Sequence, residues 1–217
     1  NIFEILRKQK DTIKFFQPFT SNMFAWDKKK KQNENSLLSP SSIYALSKSS
    51  AYLAAKMYNK LYGLNICGAI YFNHESPRRN KEYVSQKIVR TACDIYLGEK
   101  NKIELGDIKI KIDWGYAPDY VDAAWRITQL KKSQFFIIGS GKGVSVENFA
   151  KYVFNYLKLD LNKYLRINKK FIRKGKNFDL IADTSKAKKT FNFKPKTTLK
   201  KMIKIMIEHE LKKRKND

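Results

Sequence analysis

The sequence has few residues that build metal or disulfide sites. It contains two cysteines and two histidines among 217 residues, and none of them has metal-ligand spacing. Cys67 and Cys93 lie in apolar periodic segments, which predicts free thiols in a reducing compartment. No apolar run reaches the roughly 18 residues of a membrane span, and no signal peptide is visible. We therefore expect a cytoplasmic protein without a metal ion or a membrane segment.

Arginine is also scarce, although the formal net charge is +25. Only eight of the 45 cationic residues are arginine, and asparagine and isoleucine are common. Base readout in nucleic acids favours the guanidinium fork of arginine over lysine. The basic runs at 28–31 and 212–215 lie in a predicted loop and near the C-terminus, where charge is usually solvated. The composition therefore indicates a lysine-rich proteome rather than a nucleic-acid partner, with a basic binding module kept as an alternative.

Apolar residues are present in the amount that a packed core needs, at 42% of the sequence. Their periodicity predicts helices over 2–9, 42–62, 81–97 and 145–157, a turn leading into a helix over 113–125, and two helical pieces within 186–213. It predicts strands over 13–19, 65–72, 108–112 and 134–138. This alternation is typical of an α/β fold with a mostly parallel sheet.

Single residues refine these boundaries. Ser42 is predicted to cap the second helix and Gly63 to end it. Trp114 and Trp125 are expected to be packing anchors, and His209 is expected to be exposed on the last helix.

The segment GSGKG at 139–143 follows a strand and precedes a helix, as a phosphate-binding loop would. Val144 stands where the dinucleotide motif needs its third glycine, and the Lys-Ser/Thr ending of the P-loop is missing. Ser145 as a helix cap explains the segment well. We therefore do not expect a nucleotide site here.

The strongest candidate for chemistry combines Thr20, Tyr44 and Lys48. Tyr44 and Lys48 are four residues apart on one predicted helix and share a face. An ammonium group stabilises a nearby phenolate, and a tyrosine so placed can exchange a proton near neutral pH. A Tyr-x-x-x-Lys pair alone occurs by chance in many helices. The preceding strand ends in a hydroxyl residue and the following strand ends at Asn73, and ligands of parallel sheets bind at such strand ends.

Three further segments narrow the interpretation: NHESPRR (73–79), DWGYAPDYV (113–121) and DTSKAKKTFNFKP (183–195). With the Thr-Ser and Tyr-x-x-x-Lys pattern, they make the chain similar to the GDP-mannose 4,6-dehydratase family of extended short-chain dehydrogenases/reductases. The resemblance covers nearly the whole chain. It implies the C-terminal part of a Rossmann-like fold, with 1–72 as the remaining half of the NADP-binding domain. Residues 73–217 would be a small mixed α/β part that binds nucleotide sugar, with segments returning to the sheet.

The resemblance also implies roles for individual residues. Tyr44 would be the catalytic base, Lys48 its partner and a ligand of the nicotinamide ribose, and Thr20 the ligand of the sugar 4-hydroxyl. Asn73 and His74 would lie at the cofactor. Diphosphate and substrate contacts would come from Asn73, Val84, Lys87 and Arg173. The cofactor would be NADP, with NAD as an alternative, the substrate GDP-mannose, and the assembly a homo-oligomer.

The implied reaction removes a hydride from C4, eliminates water across C5–C6 and returns the hydride to C6. Four departures from the family pattern bear on it. The glycine-rich dinucleotide loop is absent from this sequence, which favours an incomplete chain. Asn22 stands where the family has the glutamate that serves elimination, Ile112 where it has an arginine, and Lys176 where it has a glutamate. Lys109 or Lys111 could replace part of the lost charge.

These departures predict an impaired dehydratase. Two alternatives stay open: a nucleotide-sugar epimerase or reductase, which needs the tyrosine and lysine but no dehydration, and a remnant without enzymatic activity.

Overall fold

A computed structural model describes residues 2–9, 13–24, 31–172 and 179–216. Its helices are α1 (Ile2–Lys8), α2 (Ile43–Tyr62), α3 (Val84–Tyr96), α4 (Ala117–Thr128), α5 (Val146–Tyr156), α6 (Leu161–Tyr164), α7 (Ser185–Phe191) and α8 (Leu199–Asn216). Its strands are β1 (Lys14–Thr20), β2 (Asn65–Tyr71), β3 (Asn73–Glu75), β4 (Ile103–Leu105), β5 (Lys111–Tyr116), β6 (Phe135–Ile138), β7 (Gly143–Ser145) and β8 (Leu165–Ile167). The predicted α/β class is confirmed.

One three-stranded sheet is parallel throughout, with the strand order β1-β2-β6. Five successive residues of the central strand β2 are buried, because helices cover both of its faces. Ile66 and Ile70 face the core shared with α2, whereas Cys67 and Ala69 face the core shared with α4 and α7. The alternation of side chains along one strand thus supplies two separate cores.

The second sheet has the order β3-β5-β7, in which β3 runs parallel to β5 and β7 runs antiparallel to it. The predicted strand at 108–112 was wrong, because the strand here is β5, which includes the DWG segment expected to form a turn. Asp113, Trp114 and Gly115 are buried in this central strand. The alternation of isoleucine and lysine just before it misled the prediction. The two-stranded β4–β8 sheet was missed because each of its strands has three residues.

A third core joins α3, α5 and α8. Ion pairs reinforce it at one end, where Arg214 of α8 contacts Asp94 of α3 and lies 3.0 Å from Glu210. Glu210 in turn lies 3.3 Å from Arg90 of α3. These pairs connect the C-terminal helix to α3 and provide the buried Asp94 and Glu210 carboxylates with the cationic partners that they need.

The predicted helix signals are confirmed. The Ser42 hydroxyl accepts a hydrogen bond from the Ala45 N–H at 3.1 Å, and Gly63 ends α2 with φ 65°. Trp114 is buried, but the expectation for Trp125 was wrong, because its side chain is 66% exposed on the outer face of α4.

Other expectations from composition can be compared with the described residues. Cys67 and Cys93 are free and buried, and His209 is exposed. Within the described ranges, no helix combines the length and apolarity of a membrane span. The same residues contain no cluster of His, Cys, Asp or Glu that could hold a metal ion. The boundary proposed at residue 72 stays a prediction.

Candidate active site

A cavity of about 1050 Å³ lies where the carboxyl ends of β1 and β2 meet β3 and α3. Its lining includes most of the predicted site residues, namely Thr20, Asn22, Tyr44, Asn73, His74, Val84 and Lys87. The fold therefore brings together side chains that are up to 67 positions apart in the sequence, since Thr20 and Lys87 share the cavity. This is the edge of a parallel sheet at which ligands are expected.

Tyr44 lies in the first turn of α2, directly after the Ser42 cap, and its side chain is 55% exposed. The Lys48 ammonium is 6.0 Å from the centroid of the Tyr44 ring. Lys48 also donates a hydrogen bond to the Pro18 carbonyl oxygen of β1 at 3.3 Å. Tyr44 lines the cavity, and Lys48 lies one turn further along the same face of α2.

Thr20 is the last residue of β1, and its hydroxyl accepts a hydrogen bond from the Asn22 N–H at 3.3 Å. Both residues line the cavity. The short turn after β1 therefore presents a hydroxyl and a carboxamide together. A carboxamide can donate and accept hydrogen bonds, but it does not exchange a proton near neutral pH.

Asn73 and His74 begin β3, whose partner strand β5 carries the DWG segment. The Tyr120 hydroxyl of α4 donates a hydrogen bond to the Asn73 carbonyl oxygen at 3.4 Å, and this contact supports the start of β3. The ring of Tyr120 lies against Gly115, at a position where any Cβ atom would collide with it. The glycine of DWG is thus required for the support of Asn73.

The His74 ring packs against both Tyr71 and Tyr120, with ring centroids 5.4 Å and 5.3 Å away. Its Nδ1 is 2.9 Å from the Phe72 carbonyl oxygen. Burial lowers the pKa of His74, so the ring is neutral at neutral pH. A neutral ring that donates from Nδ1 to a carbonyl leaves Nε2 as a hydrogen-bond acceptor.

Helix α3 begins at Val84 and places Lys87 one turn further along the same wall of the cavity. The Lys87 ammonium lies 3.8 Å from the centroid of the Phe171 ring. Burial lowers the pKa of Lys87, while Glu104 and Glu82 act in the opposite direction. Lys87 is therefore a partly desolvated cation, which attracts an anion more strongly than a fully hydrated one.

Among the described residues, the lining carries an excess of positive charge. Seven cationic residues of this part of the chain contribute to it: Arg79, Lys81, Lys87, Arg90, Lys100, Lys111 and Lys170. Three acidic residues do so: Glu82, Asp94 and Asp107. Such a surface favours an anionic ligand like a diphosphate.

Some of the positions at which the sequence departs from the family pattern lie near the cavity. Ile112 lines the cavity beside Lys111, so a cation remains next to the position of the missing arginine. Lys109 is exposed and does not contribute to the described lining. Arg173 and Lys176 lie outside the described residues.

The backbone of the GSGKG segment binds the side chain of Asp113. The Asp113 carboxylate accepts hydrogen bonds from the N–H groups of Ser140 at 2.6 Å, Gly141 at 2.9 Å and Ala182 at 3.0 Å. Burial raises the pKa of Asp113, and these hydrogen bonds oppose that shift. The N–H groups that would bind a phosphate already bind a side chain, which agrees with the sequence interpretation of this loop.

A second group beside the cavity, formed by Glu75, Arg79 and Ser85, was not identified from the sequence. Glu75 is buried, accepts a hydrogen bond from Ser85 and pairs with Arg79. Its one sequence signal was an acidic residue three positions after the predicted apolar strand 65–72, where a buried charge would need a partner.

Comparison with known proteins identifies relatives of this chain. The family model for "GDP-mannose 4,6 dehydratase" matches residues 1–206. GDP-mannose 4,6 dehydratase 2 of Arabidopsis thaliana is 35% identical over 206 residues, covering 95% of this chain and 55% of that protein. The Dictyostelium discoideum GDP-mannose 4,6 dehydratase is 31% identical, covering 94% of this chain and 62% of that protein. The chain thus spans little more than half the length of the curated relatives it matches.

Solved structures agree on the fold. RMD from Pseudomonas aeruginosa, complexed with NADPH, superposes with a TM-score of 0.88 at 16% identity, covering 98% of this chain and 71% of that one. The dTDP-glucose 4,6-dehydratase of Bacillus anthracis, in complex with NAD, gives 0.87 at 21% identity, covering 99% and 66%. A UDP-glucose 4-epimerase from Thermotoga maritima with UDP-glucose gives 0.83 at 22% identity, covering 100% and 68%. By sequence, the chain belongs to the GDP-mannose 4,6-dehydratase family.

Proposed function

We propose that the cavity binds GDP-mannose and that this chain supplies the proton-transferring and sugar-binding part of a nucleotide-sugar 4,6-dehydratase. The observation that carries the proposal is the meeting of Thr20, Tyr44 and Asn73 in one positively charged cavity at the carboxyl ends of parallel strands. The family match supports the same substrate class.

In this proposal Tyr44 removes the proton from the sugar 4-hydroxyl, whose oxygen the Thr20 hydroxyl holds. Lys48 would be its partner, since the ammonium lies 6.0 Å from the centroid of the Tyr44 ring on the same helix face. Lys48 also donates a hydrogen bond to Pro18 of the strand that carries Thr20. Proton removal by a positioned side chain contributes typically 10²–10⁴-fold to such reactions.

The residues present also fit one end of a nicotinamide cofactor. Tyr44 and Lys48 would hold its ribose, and the uncharged Nε2 of His74 and the side chain of Asn73 offer polar contacts nearby. When bound, NADP or NAD would accept the hydride from C4. Solved neighbours of this fold carry NADPH or NAD, and the family resemblance favours NADP.

The diphosphate would bind along the start of α3. Val84 and Lys87 line this wall, and the partly desolvated ammonium of Lys87 is suited to a phosphate oxygen. Asn73 offers a neutral donor from the opposite strand end. By resemblance, Arg173 would contribute a further contact.

Asn22 sets the limit of the proposed chemistry. Elimination of water across C5–C6 needs a group that takes and gives a proton, and a carboxamide does neither near neutral pH. Oxidation at C4 uses Tyr44 and is independent of Asn22. We therefore propose a dehydratase whose elimination step is impaired. The same observation favours, as a second candidate, an epimerase or reductase that acts at C4 without losing water.

A product analysis distinguishes these functions. The chain is incubated with GDP-mannose and NADP, and the nucleotide sugars are analysed by mass spectrometry and NMR. A 4-keto-6-deoxy product supports the dehydratase, and a C4-oxidised or C4-inverted sugar that retains its water supports the second candidate. Asn22→Glu is expected to increase water loss, and Tyr44→Phe to abolish both products. Absence of GDP-mannose binding would leave the non-enzymatic remnant as the interpretation.

We also propose that the chain forms a homo-oligomer through α2. Apolar side chains recur on the outer face of this helix and are more than half exposed: Leu46, Leu53, Met57 and Leu61. An apolar stripe of this kind commonly marks a protein contact. Light scattering of the wild-type chain and of Leu53→Glu tests this, since the charge is expected to dissociate the assembly.

A further inference from the structure

A buried carboxylate ends strand β3 directly beside the cavity. The side chain of Glu75 is 1% exposed. Ser85 donates a hydrogen bond from its hydroxyl to this carboxylate at 2.6 Å. The Arg79 Nε atom lies 3.2 Å from it and forms an ion pair. A carboxylate removed from water to this degree needs such partners, because leaving it unpaired would be strongly unfavourable.

The two partners of Glu75 belong to different parts of the cavity wall. Arg79 lies in the 76–83 loop between β3 and α3, and Ser85 lies in the first turn of α3. Glu75 therefore joins a strand end, a loop and a helix start through one side chain. Directly contacting polar groups of this kind are commonly coupled in their effects on stability.

Helix α3 depends on this contact more than an ordinary helix would. Its N-cap residue, Tyr83, makes no side-chain capping hydrogen bond, and the first turn of α3 contains no acidic residue. A negative charge near a helix N-terminus is stabilising. Glu75 supplies that charge from the neighbouring strand and fixes the helix start through Ser85.

Arg79 transmits the same constraint to the loop. Its guanidinium carbon lies 3.6 Å from the centroid of the Tyr83 ring, so the arginine is held by Glu75 on one side and by Tyr83 on another. Both Arg79 and Tyr83 line the cavity. The wall formed by the loop and α3 is thus organised around one carboxylate that does not itself contribute to the lining described above.

We infer that Glu75 is a positioning residue: through Arg79 and Ser85 it holds the 76–83 loop and the start of α3 against β3, so that Val84 and Lys87 face the nucleotide sugar. This inference rests on the proposed function, because it assigns Glu75 a role in binding the same substrate. Glu75 is not proposed to touch the substrate.

The charge state of Glu75 gives a test that packing alone would not affect. Burial raises the pKa of Glu75 to about 7, against the opposing influence of Arg79 and Ser85. Arg79, His74 and Tyr120 are the other titratable groups beside it. Burial lowers the pKa of His74, which favours its neutral ring, and raises that of the Tyr120 phenol, which keeps its proton. The Glu75 carboxyl group therefore ionises as the pH rises from about 6 to 8, and its ion pair with Arg79 is complete only in the ionised form.

The experiment measures GDP-mannose binding to the 217-residue chain by calorimetry between pH 6 and pH 8. The phosphates of GDP-mannose do not titrate in this range, so changes come from the protein. The wild-type chain is expected to bind more tightly at pH 8 than at pH 6. Glu75→Gln keeps an acceptor for Ser85 but loses the charge. It should bind about tenfold more weakly at pH 8 and show no change with pH.

A matched control is Asp119→Asn. Asp119 is another buried carboxylate, which accepts a hydrogen bond from the Thr197 N–H at 2.8 Å, and it does not contribute to the described lining. Its substitution should lower thermal stability and leave GDP-mannose affinity and its pH dependence unchanged. A loss of affinity equal to that of Glu75→Gln would show that general destabilisation explains both, and would overturn the inference.

The outcomes separate this inference from the proposed function. If the wild-type chain does not bind GDP-mannose, the proposed function fails. If it binds and Glu75→Gln keeps wild-type affinity and pH dependence, only the positioning role fails. If Glu75→Gln does not fold, Ser85→Ala tests the tie to α3 alone. Weaker binding by Ser85→Ala then supports the role, and unchanged binding contradicts it.

Discussion

Lys48 of α2 donates a hydrogen bond to the carbonyl oxygen of Pro18 in β1, across a distance of 3.3 Å. One end of β1 carries Thr20, and the first turn of α2 carries Tyr44. This bond adds to the packing of Phe19 on Tyr52 between the two elements that present the proposed hydroxyl ligand and the proposed base. The Lys48 ammonium also lies 6.0 Å from the centroid of the Tyr44 ring.

The first prediction concerns this lysine. Lys48→Met keeps most of the apolar stem but removes the charge and the bond to Pro18. The rate of hydride transfer from C4, measured as transient NADPH absorbance in a single turnover, should fall about 10²-fold. Lys56→Met is the control, since Lys56 lies on the same helix and contacts the Tyr52 ring at 5.4 Å instead. Equal losses in the two variants would contradict a specific role for Lys48.

The second prediction concerns Lys87. Lys87→Met should weaken GDP-mannose binding by about 1.5–3 kcal/mol, because a charge-assisted contact to phosphate is lost. The same substitution at Lys102, which pairs with Glu104 at 3.3 Å on an exposed surface, should leave binding unchanged. Calorimetry with GDP-mannose measures both. Wild-type affinity in Lys87→Met would remove Lys87 from the proposed diphosphate site.

The third prediction concerns stability and pH. The pKa of Glu75 is raised from 4.5 to about 7 in the folded chain, so between these values the folded state binds more protons than the unfolded state. The contribution of Glu75 to the free energy of unfolding must then decrease as the pH rises through this window. Across it, the wild-type chain should lose up to about 3 kcal/mol relative to Glu75→Gln.

Urea unfolding of both chains at several pH values measures this difference, and carboxylates common to both cancel. No difference at all would show that the pKa of Glu75 is not raised by folding, and a difference that grows in the opposite direction would show that it is lowered.

The fourth prediction concerns the glycine of the DWG segment. Gly115→Ala places a methyl group where the Tyr120 ring lies, so the ring must shift. Overpacking of this kind costs about 1–3 kcal/mol. Because Tyr120 also supports the Asn73 carbonyl, GDP-mannose affinity should fall as well. Tyr120→Phe, which removes only the hydroxyl, separates the two effects: it should reduce affinity with a smaller loss of stability.

The fifth prediction concerns Asp113. Asp113→Ala leaves three backbone N–H groups without their acceptor in a buried region. Each hydrogen bond to a charged group contributes about 1.5–3 kcal/mol, so the variant should be severely destabilised or unfolded. Asp179→Ala is the comparison, because Asp179 accepts one hydrogen bond, from the Lys111 N–H, at an exposed site. Similar stability of both variants by urea unfolding would refute this account.

The features that local sequence determines were predictable. Capping residues, helix-ending glycines and continuous apolar strands act over a few residues, and they located α2, β1, β2 and β6 to within about one or two positions. The grouping of Thr20, Tyr44 and Asn73 followed from the rule that strand ends of a parallel sheet meet.

The features that the sequence did not reveal depend on contacts between distant segments. Asp113 meets Ala182 only after β5 and the segment at 180–182 come together. Glu75 and Ser85 are brought together by a loop whose course no periodicity determines. Trp125 resembles a core residue by type, but the face of α4 that carries it is turned away from the sheet. Residue type alone does not indicate which face a helix buries.

The hold of Asp113 on the Ser140–Gly141 turn has a consequence for ligand competition. Because the carboxylate is part of the same chain, its effective concentration at these N–H groups far exceeds that of any free phosphate, in the way that tethering favours an intramolecular partner. The Ser140–Gly141 turn is thus an anion-binding site that the Asp113 carboxylate of the same chain already fills. Removing that ligand while keeping the loop folded would expose a vacant receptor, to which sulfate or phosphate in the buffer would then act as a stabiliser.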